Sequence, residues 1–114
     1  MSSVKASFKN SRIYPRSATL TTVEGLIAVN GNAGPVTLVK AANAQRTILS
    51  IENESTTDDI RYMAGNVAPL LATILADGFL IPAGSSYDVT SPQNIYAISV
   101  TANPVNVSTD EGSG

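Results

Sequence analysis

Residues that favour turns interrupt this chain at intervals of about eight to twelve residues, which leaves room only for short secondary-structure elements. The segments between them are rich in β-branched residues, and several alternate apolar with polar positions, as half-buried strands do. Seven or eight short strands separated in this way are typical of a sandwich or barrel. We therefore predict an all-β protein with a β-sandwich fold, and a jelly roll is one arrangement that fits.

The stretch from Arg46 to Met63 is predicted to be a hairpin at the centre of this fold. Both of its strands alternate apolar and polar residues, and the segment 54–58 between them consists of residues that favour turns. Across the outward face of this hairpin, Glu52 and Arg61 would be close enough to pair. The carboxylates of the turn are interpreted as solvated.

Two later segments complete the predicted sandwich. Residues 94–101 alternate most clearly, which predicts Tyr96, Ile98 and Val100 on the inward side and the residues between them on the outward side. Val105 and Val107 indicate a last strand, and the residues after it are predicted to form a flexible acidic tail.

The segment from Ala64 to Asp77 is ambiguous. Its apolar residues fall at helical spacing, and Asn66 could cap a helix with Pro69 in the first turn. We expect one or two helical turns within a loop here, with a long loop leading into a strand as the alternative. The apolar residues at helical spacing are Val67, Leu70, Leu71, Ile74 and Leu75.

The length of 114 residues suits one domain, and the charge along it is uneven. Residues 1–17 are predicted to be a basic N-terminal arm, residues 18–109 the β-sandwich domain and residues 110–114 the acidic tail. From Glu52 onward, eight acids face one base. Such an arm could dock on an acidic partner, for example another copy of the chain, although a solvated terminus is the alternative. The four cations of the arm are Lys5, Lys9, Arg12 and Arg16.

Composition argues against most enzyme classes. The chain has no cysteine and no histidine, which removes disulfides, thiolate metal sites and the usual general base. The acids around the central turn do not match the spacing of a calcium-binding EF-hand, and no nucleophile elbow or phosphate-binding loop is present. We therefore predict a protein that is not an enzyme and that has no cofactor and no metal site.

Composition also narrows the expected partners. The arm carries only Phe8 and Tyr14 as aromatic residues, so single-stranded nucleic acid is not expected to bind it. No apolar run approaches the ~20 residues of a membrane span, and the first residues lack a signal peptide's apolar core. With no Trp and 5% aromatic residues, a sugar-binding platform of stacked rings is poorly supported.

Only 14% of residues are charged, against ~25% in typical domains, which suits a surface covered by neighbouring subunits. A small β-domain with a neutral polar surface explains this composition equally well.

Three segments resemble small virion proteins of tailed bacteriophages: VTLVKAANAQRTILSIENESTTDDIRYM, IPAGSSYDV and IYAISVTANPVNVST. The likeness extends from Val36 to Thr109 and departs at residues 64–77, which are more apolar than the usual connection. It implies a β-sandwich or jelly-roll subunit and assigns structural roles only. Those roles fall on Arg46, Ile48, Ile51, Gly84, Tyr96 and Ile98.

The resemblance implies a capsid cement, or decoration, protein that binds and stabilises the outside of a phage head. Its partners would be the major capsid protein or other virion subunits, and it would be a homo-oligomer, either a dimer or a trimer. It would be made in the host cytoplasm and reside on the exterior of the particle. The alternative is a head or tail fibre module that recognises the host through carbohydrate. The expected contact residues are the arm cations Lys5, Lys9, Arg12 and Arg16 and the apolar Leu70, Leu71 and Ile74.

Overall fold

The computed structural model describes residues 19–20 and 26–113, so the predicted basic arm, with its four cations, lies outside the described residues. The described residues form nine strands and one short helix. The strands are β1 (Thr19–Leu20), β2 (Ile27–Val29), β3 (Thr37–Lys40), β4 (Arg46–Asn53), β5 (Ile60–Gly65), β6 (Phe79–Ile81), β7 (Ser86–Val89), β8 (Asn94–Ser99) and β9 (Val105–Ser113), and the helix is α1 (Leu71–Asp77).

The strands form two antiparallel sheets, which confirms the predicted all-β sandwich. In the first sheet, β9 lies between β4 on one side and both β1 and β2 on the other, and β7 forms the edge beyond β4. The second sheet has the order β3-β8-β5-β6. The pairs β2–β9, β3–β8, β4–β7 and β5–β6 are therefore nested along the chain, and this is the arrangement of a jelly roll.

Apolar residues fill two separate cores. The main core lies between the sheets and includes Leu49 and Ile51 of β4 and Ile60 of β5, all fully buried. A smaller core lies on the outer face of the second sheet, where Ile74 of α1 packs near Tyr96 and Ile98. The second sheet is therefore covered on both faces over part of its width.

The predicted central hairpin is wrong, although both of its strands exist. β4 pairs with β7 and β9, whereas β5 belongs to the other sheet and pairs with β6 and β8. The alternation of residues sets which side chains share a face, but it does not determine which strands pair. The Glu52 to Arg61 pair does not form across a hairpin; Arg61 Nη1 donates instead to the Gly78 carbonyl oxygen at 2.7 Å.

The predicted inward face of β8 is also reversed. Ile95 and Ala97 belong to the main core, whereas Tyr96 and Ile98 face the smaller core beneath α1. Because the helix covers the outer face, residues on both faces of this strand are buried. Alternation alone could not determine which of the two faces points between the sheets.

The predicted flexible acidic tail is wrong for residues 110–113, because these residues belong to β9. Asp110 and Glu111 are only 6% and 7% exposed, and they pair in register with Ser50 and Leu49 of β4. The sequence suggested a tail because acids are rarely buried without partners. Glu111 has such a partner in Arg46, which the charge pattern of the tail alone does not reveal.

The ambiguous segment contains the expected helical turns, but their start differs from the prediction. Leu70, not Asn66, occupies the N-cap position, and no side chain caps the helix. The helix ends at Asp77, and the N–H of the C-cap residue Gly78 donates to the Ile74 carbonyl oxygen at 2.9 Å. A Cβ atom at Gly78 would lie 2.6 Å from that same oxygen, so this close approach requires glycine.

Candidate functional site

The three apolar residues predicted to contact a partner have very different environments. Leu70 is 76% exposed, Leu71 is half-buried and Ile74 is fully buried. Ile74 is therefore corrected from a contact residue to a core residue, because its side chain belongs to the cluster beneath α1. Helical spacing of apolar residues indicates one apolar face, but it does not show whether that face contacts a partner or a sheet of the same domain.

Two further apolar residues are exposed, one in the connection that leads into α1 and one on the face of the second sheet that α1 covers. Val67, in the connection between β5 and α1, is 78% exposed. Leu38 of β3 is 49% exposed and lies opposite Tyr96 in the strand register, so it shares the outer face of this sheet. Val67, Leu70, Leu71 and Leu38 are called the outer apolar surface below.

The described cations are all engaged within the domain. Arg46 and Lys40 approach Glu111, at 2.7 Å and 3.8 Å, and Arg61 binds a backbone carbonyl. The four remaining cations of the sequence belong to the arm and lie outside the described residues. Within the described part of the chain, no Lys or Arg is left as an exposed basic patch.

Arg46 joins three parts of the fold through its buried guanidinium group. Its Nε donates to Glu111 Oε2 at 2.7 Å, and Nη2 donates to the Ala41 carbonyl oxygen at 2.7 Å. Its Nη1 donates to the carbonyl oxygens of Ser91 and Gln93, at 2.7 Å and 2.9 Å. With a hydrogen-bond acceptor at every nitrogen, this group holds two loops against the end of β9.

The acids of the segment between β4 and β5 also have structural roles. Asp58 accepts hydrogen bonds from Thr101 Oγ1 at 3.0 Å and Thr57 Oγ1 at 3.1 Å, and Asp59 accepts one from the Ala83 N–H at 2.9 Å. These two carboxylates are therefore only partly solvated, because each also accepts hydrogen bonds from the protein. Across residues 26–113, no three acidic side chains come close enough together to hold a metal ion.

The buried side chain of Asn53 also stabilises the segment between β4 and β5. Its side chain is 1% exposed, and its amide nitrogen donates to the carbonyl oxygens of Asp58 and Ile81 at 2.9 Å and 3.1 Å. Its amide oxygen accepts from the Ser55 N–H at 2.9 Å. This buried amide fixes the point where the chain crosses from one sheet to the other.

An open cleft of about 380 Å³ lies where β5 and β6 of the second sheet meet β7 of the first. One wall carries Tyr62 and Phe79, which are opposite each other in the β5–β6 register and stack with ring centroids 5.6 Å apart. The other lining residues are Met63, Ala64, Asp77, Asp88, Val89, Thr90 and Ser91.

Aromatic side chains concentrate at this edge of the sandwich. Phe79 is 65% exposed, and Tyr87 of the neighbouring β7 is 44% exposed. Burial raises the pKa of the Tyr62 phenol, and the nearby Tyr87 raises it further. Of the four aromatic residues that the structure describes, only Tyr96 lies elsewhere.

Sequence reasoning missed this cleft because it judged aromatic content over the whole chain. The low total of aromatic residues argued against a platform of rings, yet three of them converge after folding. The usable signal was the position of Phe79 and Tyr87 in short strands that flank the Pro82–Gly84 turn. Such strands are candidates for sheet edges.

Neither a scan against protein-family models nor a search of curated proteins finds a match to this chain.

Within the described residues, no helix is both long enough and apolar enough to cross a membrane.

Proposed function

We propose that this chain is a structural protein of a bacteriophage particle, a decoration protein that binds the outside of the head shell and is not an enzyme. The resemblance of residues 36–109 to small virion proteins supplies the class of particle. The observation that carries the docking role is the outer apolar surface, in which Val67 and Leu70 are each more than three-quarters exposed.

Three of these side chains, Val67, Leu70 and Leu38, belong to neither core of the domain, whereas Leu71 packs against the cluster beneath α1. Covering a large apolar side chain stabilises by about 1.5–3 kcal/mol, so a partner that covers two of them gains substantially. The shell of a head presents the same partner surface many times, which suits modest contacts repeated on a lattice.

The charge distribution supports the same role. The described cations are engaged inside the domain, which leaves the arm residues Lys5, Lys9, Arg12 and Arg16 as the source of basic charge for an external partner. Attraction between such an arm and an acidic shell surface would speed association and weaken with added salt. A homodimer or homotrimer at each lattice position would bring several arms together.

Binding to heads assembled without this protein tests the proposal. The purified chain is expected to co-sediment with such heads to a fixed, saturable number of copies. Leu70→Ser should reduce occupancy at a given concentration, because it replaces an exposed apolar contact by a hydroxyl. Deleting residues 1–17 should also reduce occupancy, most strongly at low salt.

Leu26→Ser is the matched control, since Leu26 is 59% exposed but precedes β2 of the other sheet. It should leave occupancy unchanged. Absence of saturable binding by the unmodified chain would contradict the docking role. Equal losses with Leu26→Ser and Leu70→Ser would show that the outer apolar surface is not the contact.

A further inference from the structure

We propose that the cleft between β5, β6 and β7 is a binding site for a neutral saccharide unit. The site shares no residue with the outer apolar surface, and its stacked rings, Tyr62 and Phe79, belong to the opposite face of the second sheet. Tyr62 packs against the main core, whereas the outer face carries Tyr96, Ile98 and α1. The proposal therefore goes beyond attachment to a shell.

The residues that line the cleft combine apolar rings with polar groups. One wall is a stacked ring pair, and the remaining lining includes the hydroxyl residues Thr90 and Ser91 and the carboxylate of Asp77. A pyranose ring has an apolar face of C–H groups and a rim of hydroxyls. An apolar ring surface beside hydroxyl and carboxylate oxygens matches both parts of such a ligand.

The exposure of Phe79 also favours a ligand at this cleft. This side chain lies on the edge strand of the second sheet and is 65% exposed, although it stacks on Tyr62. A large aromatic ring open to water gains stability when another apolar surface covers it. The cleft volume of about 380 Å³ lies within the range of roughly 300–1,000 Å³ that is typical of small-molecule sites.

A cationic ligand is the competing possibility, because aromatic rings and acids also attract ammonium groups. The carboxylates of Asp77 and Asp88 are, however, on exposed residues, where solvent weakens their attraction for a charge. The hydroxyl groups of the lining residues Thr90 and Ser91 do not favour a cation over a neutral ligand. A neutral sugar therefore fits the cleft better than a cation does, and a cation serves as the comparison probe.

Chemical-shift mapping with methyl glycosides of glucose, galactose, mannose and N-acetylglucosamine tests the site. At least one glycoside should bind saturably and shift the backbone amides of Tyr62, Phe79 and Thr90. Phe79→Ala should weaken this binding about tenfold, because it removes the exposed ring of the stacking wall. Thr90→Val keeps the side-chain shape but removes a hydroxyl, and it should also weaken binding.

Leu38→Ala is the matched control, because Leu38 is an exposed apolar residue on the other edge strand of the same sheet. It should leave glycoside binding unchanged. The proposal is overturned if no glycoside binds saturably. It is also overturned if the two single variants Phe79→Ala and Thr90→Val, both folded, bind the glycoside as tightly as the unmodified chain does. Tighter binding of Nα-acetyl-lysine methylamide than of every glycoside would overturn it in favour of a cation site. None of these results depends on attachment to heads, so failure here leaves the decoration role standing.

Discussion

Single buried polar residues hold this small jelly roll together at the places where its sheets and loops meet. Arg46 ties β4 to β9 and to two loops, and Asn53 holds the crossing between the sheets. Arg46 was singled out by the resemblance as the residue before a core strand, but its partner Glu111 was assigned to a tail. A contact between residues 65 positions apart leaves no local pattern in a sequence.

Replacing Arg46 tests its role directly. Arg46→Met is expected to lower the free energy of unfolding by about 3–5 kcal/mol, because it leaves the buried Glu111 carboxylate without its closest partner. Urea unfolding measures this difference. Lys40→Met is the control and should cost at most about 1 kcal/mol, since Lys40 approaches Glu111 only to 3.8 Å. Equal losses in the two variants would contradict the central role of Arg46.

Titration of the Tyr62 phenol makes the free energy of unfolding depend on pH in the alkaline range. Its pKa in the folded protein is raised, first by burial and then by Tyr87, above the value of about 10 for an unfolded chain. The unfolded chain therefore loses the phenol proton first, so this contribution is complete below pH about 10 and is lost as pH rises through the folded pKa.

Tyr62→Phe should accordingly flatten the fall of the unfolding free energy above pH about 10. Tyr87→Phe should flatten it only in part, because burial is the larger cause of the shift. Urea unfolding over a series of alkaline pH values measures both effects. An unchanged slope in Tyr62→Phe would show that this phenol does not carry the dependence.

Strands were predictable from the sequence where turn residues bound them, and their partners were not. The predicted strand over residues 94–101 corresponds to β8, which begins at Asn94 as the alternation indicates. The assignment of β4 and β5 to different sheets depends on partners brought from distant parts of the chain. The same limit applies to β9. Its acids Asp110 and Glu111 can be buried within a strand because they lie beside β4 and because Arg46 pairs with Glu111.

Removing residues 110–114 distinguishes a strand from a tail. This truncation deletes the half of β9 that pairs with β1 and with the beginning of β4. It also removes Glu111 from Arg46, so the chain is expected to lose its cooperative unfolding transition at ambient temperature. Circular dichroism during thermal unfolding measures this. A truncated chain with native stability would restore the interpretation of these residues as a tail.

Two residues of the α1 region have different roles. Ile74 supports the fold, whereas the N-cap residue Leu70 is exposed and available to a partner. Ile74→Ala is expected to lower the unfolding free energy by about 2–5 kcal/mol, because it opens a cavity in the core beneath the helix. Leu70→Ala should change stability by no more than about 0.5 kcal/mol, because Leu70 is 76% exposed. Denaturant unfolding of the two variants measures the difference, and similar losses would contradict this division.

The jelly roll as a whole presents two features that share no residue. The outer apolar surface is built from α1, the connection before it and the outer face of β3, whereas the aromatic cleft opens where the sheets meet at β6 and β7. The fold was predictable as a class, but a fold hosts many functions, and these two features appear only after the chain is folded. Their separation means that a subunit could attach by one feature and keep the other open.

Electron cryomicroscopy of phage heads mixed with the purified chain tests the proposed decoration role most directly. The decoration role predicts jelly-roll density at repeated positions on the outside of the head, with Val67, Leu70 and α1 against the shell and Phe79 open to solvent. Jelly-roll density that is absent from the head surface would contradict the proposed function. Density on the head with Val67 and Leu70 facing solvent would contradict the proposed contact surface.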